Sequence, residues 1–266
     1  MFDFLFKHKP AKVGLVLGGG AARGIAHVGV VKVLAREQVP VKMIIGTSAG
    51  AIIGSLYAAG FDAGQIERAS QAMNLFKMVF PSFNFKGLNN SEVIAKYLEP
   101  YLGGKTFADL KLPMYVVATD LKTGKEKIFS SGSVIKALQA SCSYPVLYTP
   151  AKIDKEHYID GGFADNLPVR AMQDLGADFT IAVDVIPKVI LTKEPQDAVT
   201  ILNRAQDILL RRASNKDRQR ADVLIEPVVE NILSFEIMDQ KKLIALGEEA
   251  AERAIPEIKR KLGLNK

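Results

Sequence analysis

The stretch that decides the fold is Met43-Ile44-Ile45-Gly46-Thr47-Ser48-Ala49-Gly50-Ala51-Ile52-Ile53. An apolar, β-branched run precedes Gly-x-Ser-x-Gly and an apolar helical pattern follows it, so the stretch predicts a buried strand, a tight turn and a buried helix. Gly46 and Gly50 lack the Cβ atoms that would clash where strand and helix press together. Such a turn exposes the Ser48 hydroxyl at the positive end of a helix from Ala49 to Ala59. We therefore predict that Ser48 is a nucleophile.

A second glycine-rich segment lies nearer the N-terminus. A predicted strand, Lys12 to Leu17, leads into Gly18-Gly19-Gly20-Ala21-Ala22-Arg23-Gly24, and a predicted helix follows from Ile25 to Glu37. This arrangement binds anions, but its spacing does not fit a dinucleotide loop and it lacks the Gly-Lys-Ser/Thr of a P-loop. The remaining interpretation is an oxyanion hole, in which the backbone N–H groups of Gly19, Gly20 and Ala21 face the charge that develops when Ser48 attacks a carbonyl. Arg23 either braces this loop or contacts an anionic headgroup, and bracing is favoured.

A third candidate is Asp160-Gly161-Gly162. It follows two short predicted strands, Val146 to Ile153 and His157 to Ile159. An aspartate before two glycines can lie close to another backbone, although a lone Asp-Gly-Gly is by itself typical of a turn.

In order and spacing, these three motifs resemble the patatin-like phospholipase family, and most closely its short bacterial members. The likeness runs from about Lys12 to Leu262 and includes residues 118–124, 140–141 and 165–169. The resemblance implies a three-layer α/β/α fold with a mainly parallel central sheet. It also implies a catalytic domain over residues 12–262, preceded by an apolar and basic segment over residues 1–11.

The same resemblance implies lipid acyl hydrolysis by two residues, with Ser48 as nucleophile and Asp160 as its base. It places the oxyanion motif on Gly19 to Gly24, where Ala21 replaces the third glycine of many members. A free carboxylate is a weak base with a pKa near 3.9, so Asp160 must be partly desolvated to take a proton from a hydroxyl. No metal or cofactor is required, and no cluster of histidines or acids suggests one.

The three histidines raise the alternative of a Ser-His-Asp triad. His8 lies in the N-terminal segment, and His27 falls on the first predicted helix, where capping or packing is expected. His157 is three residues before Asp160, and alternation along a strand points such residues to opposite faces. The dyad is therefore favoured over the triad.

Cysteine content and hydropathy indicate the cellular compartment. The chain has 266 residues and one cysteine, Cys142, which excludes an internal disulfide and favours a reducing compartment. Met43 to Phe61 carries no charge, but glycines and Thr47-Ser48 interrupt it, so we reject a membrane span. The N-terminus lacks the features of a signal peptide. We predict a cytoplasmic location, with peripheral membrane contact as an alternative.

The charge of the chain indicates which classes of partner it can bind. The net charge of +6 suits an anionic surface. The Phe-rich and Lys-rich N-terminal segment either contacts an anionic bilayer or packs on the protein. A second basic cluster is expected to cover a solvated helix face, and no nucleic-acid binding is predicted because it has no interleaved aromatic residues. This cluster comprises Arg211, Arg212, Lys216, Arg218 and Arg220.

Two further segments bear on the site. Asn74 to Asn90 contains four phenylalanines without a clear period, and it either packs irregularly on the core or forms an acyl groove or lid. The C-terminal third is expected to be scaffold without chemistry. It contains a predicted helix from Gln196 to Arg212 and another from Gln240 to Leu262, broken near Pro256.

The favoured function is a serine lipid acyl hydrolase of the phospholipase A, lysophospholipase or esterase type that works through an acyl-enzyme. Its substrate is a lipid or another acyl ester. Acyl transfer or thioester cleavage at the same two residues remains an alternative, because an acyl-serine can be resolved by an alcohol or a thiol. A regulatory protein with little turnover is a further alternative. The sequence leaves chain length, headgroup and oligomeric state open.

Overall fold

The structure is a computed structural model that describes residues 11–72, 89–145, 147–188, 197–229 and 239–264. The expectations for the N-terminal segment and for the Phe-rich segment fall almost wholly outside these residues. Both therefore stay predictions.

The described residues form eight strands and nine α-helices. The strands are β1 (Val13–Leu17), β2 (Val41–Thr47), β3 (Met114–Asp120), β4 (Glu126–Phe129), β5 (Ala151–Ile153), β6 (Glu156–Asp160), β7 (Phe179–Val183) and β8 (Val223–Ile225). The helices are α1 (Ala26–Arg36), α2 (Ala49–Ala58), α3 (Ala63–Ala72), α4 (Glu92–Leu102), α5 (Val134–Ser141), α6 (Val169–Asp174), α7 (Ala198–Ala213), α8 (Asn215–Arg220) and α9 (Gln240–Leu262).

One mixed sheet contains all of these strands. Its order is β5-β6-β3-β2-β1-β7-β8, with β4 also paired to β3. The run from β3 to β8 is parallel, whereas β4, β5 and β6 join through antiparallel pairs. The prediction of an α/β fold with a mainly parallel sheet is confirmed.

Both faces of the central strands are buried, which is why their sequences are continuously apolar. Leu15 and Ile44 pack into the larger core with α1, α2 and α9, while Val16 and Ile45 pack on the opposite face with α6. The sheet is therefore the middle of three layers. Because parallel strands end at one edge, the loops after β1 and β2 emerge side by side.

The structure corrects two predicted elements. The strand expected from Val146 begins only at Ala151, because Pro145 and Pro150 lack N–H groups and the N–H of Tyr148 donates to the carbonyl of Tyr144 in a turn. Helix α9 is continuous rather than broken near Pro256. Pro256 lies on the exposed side of α9, where water can bond the carbonyl that loses its helical partner.

Helices α1 and α9 cross at two glycines. A Cβ added to Gly29 would lie 2.0 Å from the Ile244 carbonyl oxygen, and one added to Gly247 would lie 1.9 Å from the Ala26 carbonyl oxygen. The backbones of the two helices therefore touch, and any side chain at either glycine would push them apart.

We predict that Gly247→Ala lowers the free energy of unfolding by about 1–3 kcal/mol, because the added methyl group overpacks this crossing. The matched control is Gly64→Ala in α3, where the nearest atoms to an added Cβ are 3.4 Å away. Alanine at this helical position should leave stability unchanged or raise it. Urea denaturation of both variants measures the difference, and equal midpoints would contradict the close crossing.

Candidate active site

Ser48 lies at a sharp turn between β2 and α2, as predicted. Its backbone has φ 52° and ψ −122°, a conformation that costs a non-glycine residue on the order of 1–3 kcal/mol. A Cβ on Gly50 would lie 2.2 Å from the Leu17 carbonyl oxygen, and one on Gly46 would lie 2.6 Å from the Ala51 Cα. Both glycines are thus required by close backbone approach, and the strained turn presents the Ser48 side chain to a cleft.

Two partly buried hydrogen bonds hold the turn. The Ser48 N–H donates to the Ser141 hydroxyl oxygen at 2.8 Å, and the Thr47 hydroxyl donates to the Asp165 carbonyl oxygen at 2.9 Å. Ser141 is fully buried at the end of α5. Sequence reasoning did not assign Ser141 a contact with the turn, since nothing local links residues 48 and 141.

The structure brings Ser48 and Asp160 together. The Ser48 hydroxyl donates to Asp160 Oδ2 at 2.7 Å, and the other carboxylate oxygen accepts the Gly162 N–H at 2.9 Å. The backbone of Asp160 is fixed as well, because its N–H donates to the Ser143 carbonyl and its carbonyl accepts the Thr119 hydroxyl. The carboxylate therefore has one defined orientation, with one oxygen directed at Ser48.

Burial changes the proton affinity of Asp160. Its side chain is almost completely removed from water, and this desolvation raises its pKa from 3.8 to about 6. The hydrogen bonds from Ser48 and Gly162 stabilise the charged form and oppose the rise. Asp160 is therefore mostly ionised at neutral pH and is a stronger base than a free aspartate.

The glycine loop follows β1 and lies beside this pair, but its donor set differs from the prediction. The Gly19 N–H donates to the Asn166 carbonyl at 3.1 Å, so it is not available to an oxyanion. The N–H groups of Gly20 and Ala21 have no acceptor among the described residues, and both residues line the cleft. Ala21 adopts φ 50° despite its side chain. The candidate donors are therefore Gly20 and Ala21, with Gly19 corrected to an anchoring role.

Arg23 braces the loop, as favoured. It is fully buried, and its guanidinium forms two hydrogen bonds of 2.9 Å with the Asp207 carboxylate and one of 3.3 Å with Asn203. Both partners belong to α7, so a bidentate buried ion pair fastens the glycine loop to that helix. This arrangement leaves Arg23 out of reach of a lipid headgroup.

The other motif glycines bring backbones close together. Gly24 packs against Ala49, and Gly161 packs against the Val117 carbonyl, each where a Cβ would lie within 2.4 Å of a neighbouring atom. Gly18 donates its N–H to the Val183 carbonyl at 3.0 Å. These contacts bring the three motifs to one edge of the sheet.

No described histidine bonds to the Ser48 and Asp160 side chains. His27 is buried beneath the loop with Nε2 2.7 Å from the Gly18 carbonyl, and burial lowers its pKa to about 4. It is therefore neutral and donates to Gly18, which fits the packing role. His157 is exposed on β6 while Asp160 is buried. His8 lies outside the described residues.

A cleft of about 250 Å³ opens over Ser48 and Asp160. Most of its wall is apolar, as an acyl chain would need. Cys142 also lines it, but burial and the charge of Asp160 raise the pKa of its thiol, so the thiol stays protonated. The apolar wall residues include Ile52, Ile94, Leu147, Phe163, Ile186 and Leu210.

The C-terminal third, predicted to be scaffold without chemistry, also contributes to the lining of the cleft. Helix α7 forms one wall of the cleft through Gln206, Leu209 and Leu210. Part of the basic cluster is also not a solvated face, because Arg218 is partly buried and pairs with Asp184 and Glu226. Residue spacing did not indicate either role, since the partners lie far away in the sequence.

The described residues bear on metal binding and on membrane insertion. Within them, no group of three or more His, Cys, Asp or Glu side chains could hold a metal ion. None of the helices in the same ranges has both the length and the apolar character needed to cross a bilayer. The uncharged run from Met43 to Phe61 folds as strand, turn and helix.

Comparison with known sequences places the site in a family context. The family model described as patatin-like phospholipase matches residues 15–172. An uncharacterized NTE family protein from Mycobacterium bovis is 32% identical over 176 residues, which is 65% of this chain and 49% of that protein. Lysophospholipase nte1 from Emericella nidulans is 36% identical over 182 residues, which is 65% of this chain and 12% of that protein. The chain thus spans half or less of the length of these relatives.

Solved structures share the fold. VipD from Legionella pneumophila superposes with a TM-score of 0.60 at 14% identity, covering 94% of this chain and 67% of that chain. ExoU from Pseudomonas aeruginosa, solved in complex with SpcU, gives 0.52 at 15% identity, covering 95% of this chain and 53% of that chain. At such identities the likeness concerns the fold alone.

We predict that Asp160→Asn raises the free energy of unfolding at neutral pH by on the order of 2 kcal/mol. The raised pKa means that the folded chain binds the proton more tightly than the unfolded chain, so this carboxylate lowers stability as pH rises from about 4 to about 6. Asparagine cannot ionise, so the gain should be full above pH 6 and vanish below pH 4. Thermal unfolding across this range measures it.

Asp120→Asn is the control with the opposite sign. The Asp120 carboxylate accepts hydrogen bonds from Thr123 and Lys122, which lower its pKa. Its charge therefore stabilises the folded chain above the unfolded pKa, and removing it should not raise stability at neutral pH. A gain of equal size in both variants would mean that the effect comes from removing any carboxylate and not from the burial of Asp160.

Proposed function

The chain belongs to the patatin-like phospholipase family, and from this premise we propose that it is a serine lipid acyl hydrolase that uses Ser48 and Asp160 as a catalytic dyad. The observation that carries the proposal is the 2.7 Å hydrogen bond from the Ser48 hydroxyl to a buried carboxylate at the base of an apolar cleft. A nucleophile in contact with a base of raised pKa is the arrangement that acyl transfer to serine requires.

In the first half of the proposed reaction, Ser48 Oγ adds to the ester carbonyl carbon and its proton passes to Asp160 Oδ2. The carbonyl oxygen gains the negative charge and lies against the N–H groups of Gly20 and Ala21. Each such donor contributes about 3 kcal/mol to the transition state in hydrolases. The bond to the leaving oxygen then breaks, and Asp160 returns the proton to it, leaving an acyl-serine.

In the second half, a water molecule gives a proton to Asp160 and adds to the acyl carbon. The oxyanion forms again against the same two N–H groups. The bond from carbon to Ser48 Oγ breaks, and Ser48 regains its hydrogen from Asp160 as the fatty acid leaves. Asp160 thus takes and returns one proton in each half, which requires it to be ionised at the start.

The cleft and the relatives support a lipid substrate. The apolar lining suits an acyl chain, and one relative is named a lysophospholipase. We therefore propose phospholipids or lysophospholipids as substrates, with simple esters as accessible analogues. The proposed oxyanion donors are backbone groups, so no cofactor enters these steps.

We predict that Ser48→Ala and Asp160→Asn each lower kcat by at least about a thousandfold, because each removes a group that the transition state needs. Ser48→Ala should also abolish labelling by a fluorophosphonate probe. His157→Ala is the matched control, since His157 is exposed and makes no contact with the pair. Retained labelling in Ser48→Ala, or a comparable loss in His157→Ala, would overturn the dyad.

We further predict that kcat/KM for a soluble ester rises with pH and levels off with an apparent pKa of about 6. Asp160 must be ionised to accept the proton, so activity falls about tenfold per pH unit below that value. Nearby Asp165 needs a control, because burial and the charges of Asp217 and Glu126 raise its pKa to about 7. In Asp165→Asn, kcat/KM should still fall below pH 6. If this fall disappears in Asp165→Asn, the titrating group is Asp165 and not Asp160.

A further inference from the structure

Helix α7 has its polar and apolar faces reversed with respect to the protein interior. Its buried side carries Asn203 and Asp207, which bond to Arg23. Its outer side exposes Ile201, Leu202 and other apolar residues. Surface helices normally bury the apolar stripe and expose the polar one. The buried ion pair therefore fastens this helix to the protein, and the apolar stripe is left facing outward.

The outer face of α7 is uniform in chemistry. Leu202 and Leu209 are each 67% exposed. At the exposed positions of α7 whose side chains the structure describes, every residue is apolar except one arginine, and none is acidic. These positions are Ala198, Ile201, Leu202, Ala205, Ile208, Leu209, Arg212 and Ala213. A contiguous apolar face of this kind indicates a binding surface.

The outer face is continuous with the proposed active site. Leu209 is exposed on α7 and also lines the cleft over Ser48, and Leu210 beside it lines the same cleft. On the same cleft, Phe163 is 52% exposed and stacks at a tilt against Tyr144, with ring centroids 5.5 Å apart. Tyr144 in turn donates to Gln206 of α7. The lining of the cleft therefore includes two exposed apolar side chains, Phe163 and Leu209, and Leu209 also belongs to the outer face of α7.

We propose that the outer face of α7, together with Phe163, is the surface by which this protein docks on an anionic lipid bilayer. The proposal deepens the proposed function and rests on it for the lipid substrate. Three observations favour a bilayer as the occupant. The face is apolar with arginine as its only charged exposed residue among those described, it continues into the cleft that would take an acyl chain, and the protein carries a net charge of +6.

Docking in this way would place the mouth of the cleft against the acyl region of the bilayer. Leu202 and Leu209 would enter the boundary between headgroups and acyl chains, and Arg212 would lie among the phosphates. A lipid could then move from the bilayer to Ser48 along an apolar wall without exposing its chain to water.

The test measures binding separately from hydrolysis. Ser48→Ala protein is mixed with vesicles of phosphatidylcholine alone, or of phosphatidylcholine with an equal part of phosphatidylglycerol, and bound protein is separated by sedimentation. We expect binding to the anionic vesicles and at least about tenfold weaker binding when Leu202→Glu is added, since a charge replaces an apolar group at the interface. Failure of the Ser48→Ala protein to bind anionic vesicles would overturn the proposal.

Leu264→Glu is the matched control. Leu264 is also an exposed leucine, and it lies beyond the end of α9, outside the cleft lining. The substitution and the charge change are identical, so Leu264→Glu should bind vesicles like the parent. Equal losses in both variants would assign binding to net charge and overturn the role of α7. If Leu202→Glu fails to fold, Ile201→Glu at the neighbouring exposed position repeats the test.

A second arm tests the charge. Arg212→Gln should weaken binding to the anionic vesicles by about fivefold, the contribution expected of one basic residue near such a surface. It should not change binding to phosphatidylcholine alone. An unchanged preference for anionic vesicles would remove Arg212 from the surface and overturn the proposed orientation.

Measurements of activity and of oligomeric state separate docking on a bilayer from the proposed hydrolase function and from self-association through α7. With Ser48 intact, Leu202→Glu should lose about tenfold in hydrolysis of vesicle lipid and keep its turnover of a soluble short-chain ester. If no ester is hydrolysed, the proposed function fails while vesicle binding still decides the docking surface. Sedimentation of the protein without vesicles tests for a dimer. If the protein forms a dimer that Leu202→Glu dissociates, and if it does not bind vesicles, a second copy covers α7 and the proposal is wrong.

Discussion

The backbone at Ser48 is held in a costly conformation because β2 and α2 are pressed together with no room for side chains between them. Gly50 allows α2 to touch the end of β1, and Ser141 accepts the Ser48 N–H from the far side. The strain is thus sustained by close packing around it and not by the turn itself. Everything proposed for the site depends on this constraint, since a relaxed turn would withdraw the hydroxyl from Asp160.

The pair of side chains is also an electrostatic compromise. Asp160 is buried deeply enough to bind a proton near pH 6, yet hydrogen bonds from Ser48 and Gly162 keep its charged form accessible. Deeper burial without these donors would leave the carboxyl neutral and useless as a base at pH 7, and full hydration would return it to an ordinary weak base. Burial of Asp160 therefore lowers folding stability and raises the proton affinity of its carboxylate, as is common for functional carboxylates.

Helix α7 joins this site to the surface. Its inner side binds Arg23 beneath the glycine loop, its edge lines the cleft, and its outer side is apolar. A buried bidentate ion pair is a costly means of attachment, but a leucine stripe turned inward would have left no apolar face outside. The reversed polarity of α7 is explained if its outer face binds a partner, and a lipid bilayer is the proposed partner.

Local sequence is enough to predict the strand, turn and helix around Ser48, because these follow from short-range sterics and from apolar periodicity. Residues such as Gly46 and Gly50 carry that information locally. The mainly parallel sheet was expected only from the resemblance of the three motifs to the patatin-like phospholipase family. Three outcomes became visible only once the layers were packed: the Asn166 carbonyl accepts the Gly19 N–H, Asp207 binds Arg23, and α7 turns its leucines outward. Those outcomes depend on partners more than a hundred residues away in the chain, and no local pattern specifies which of several acceptors a buried donor will meet once the layers pack.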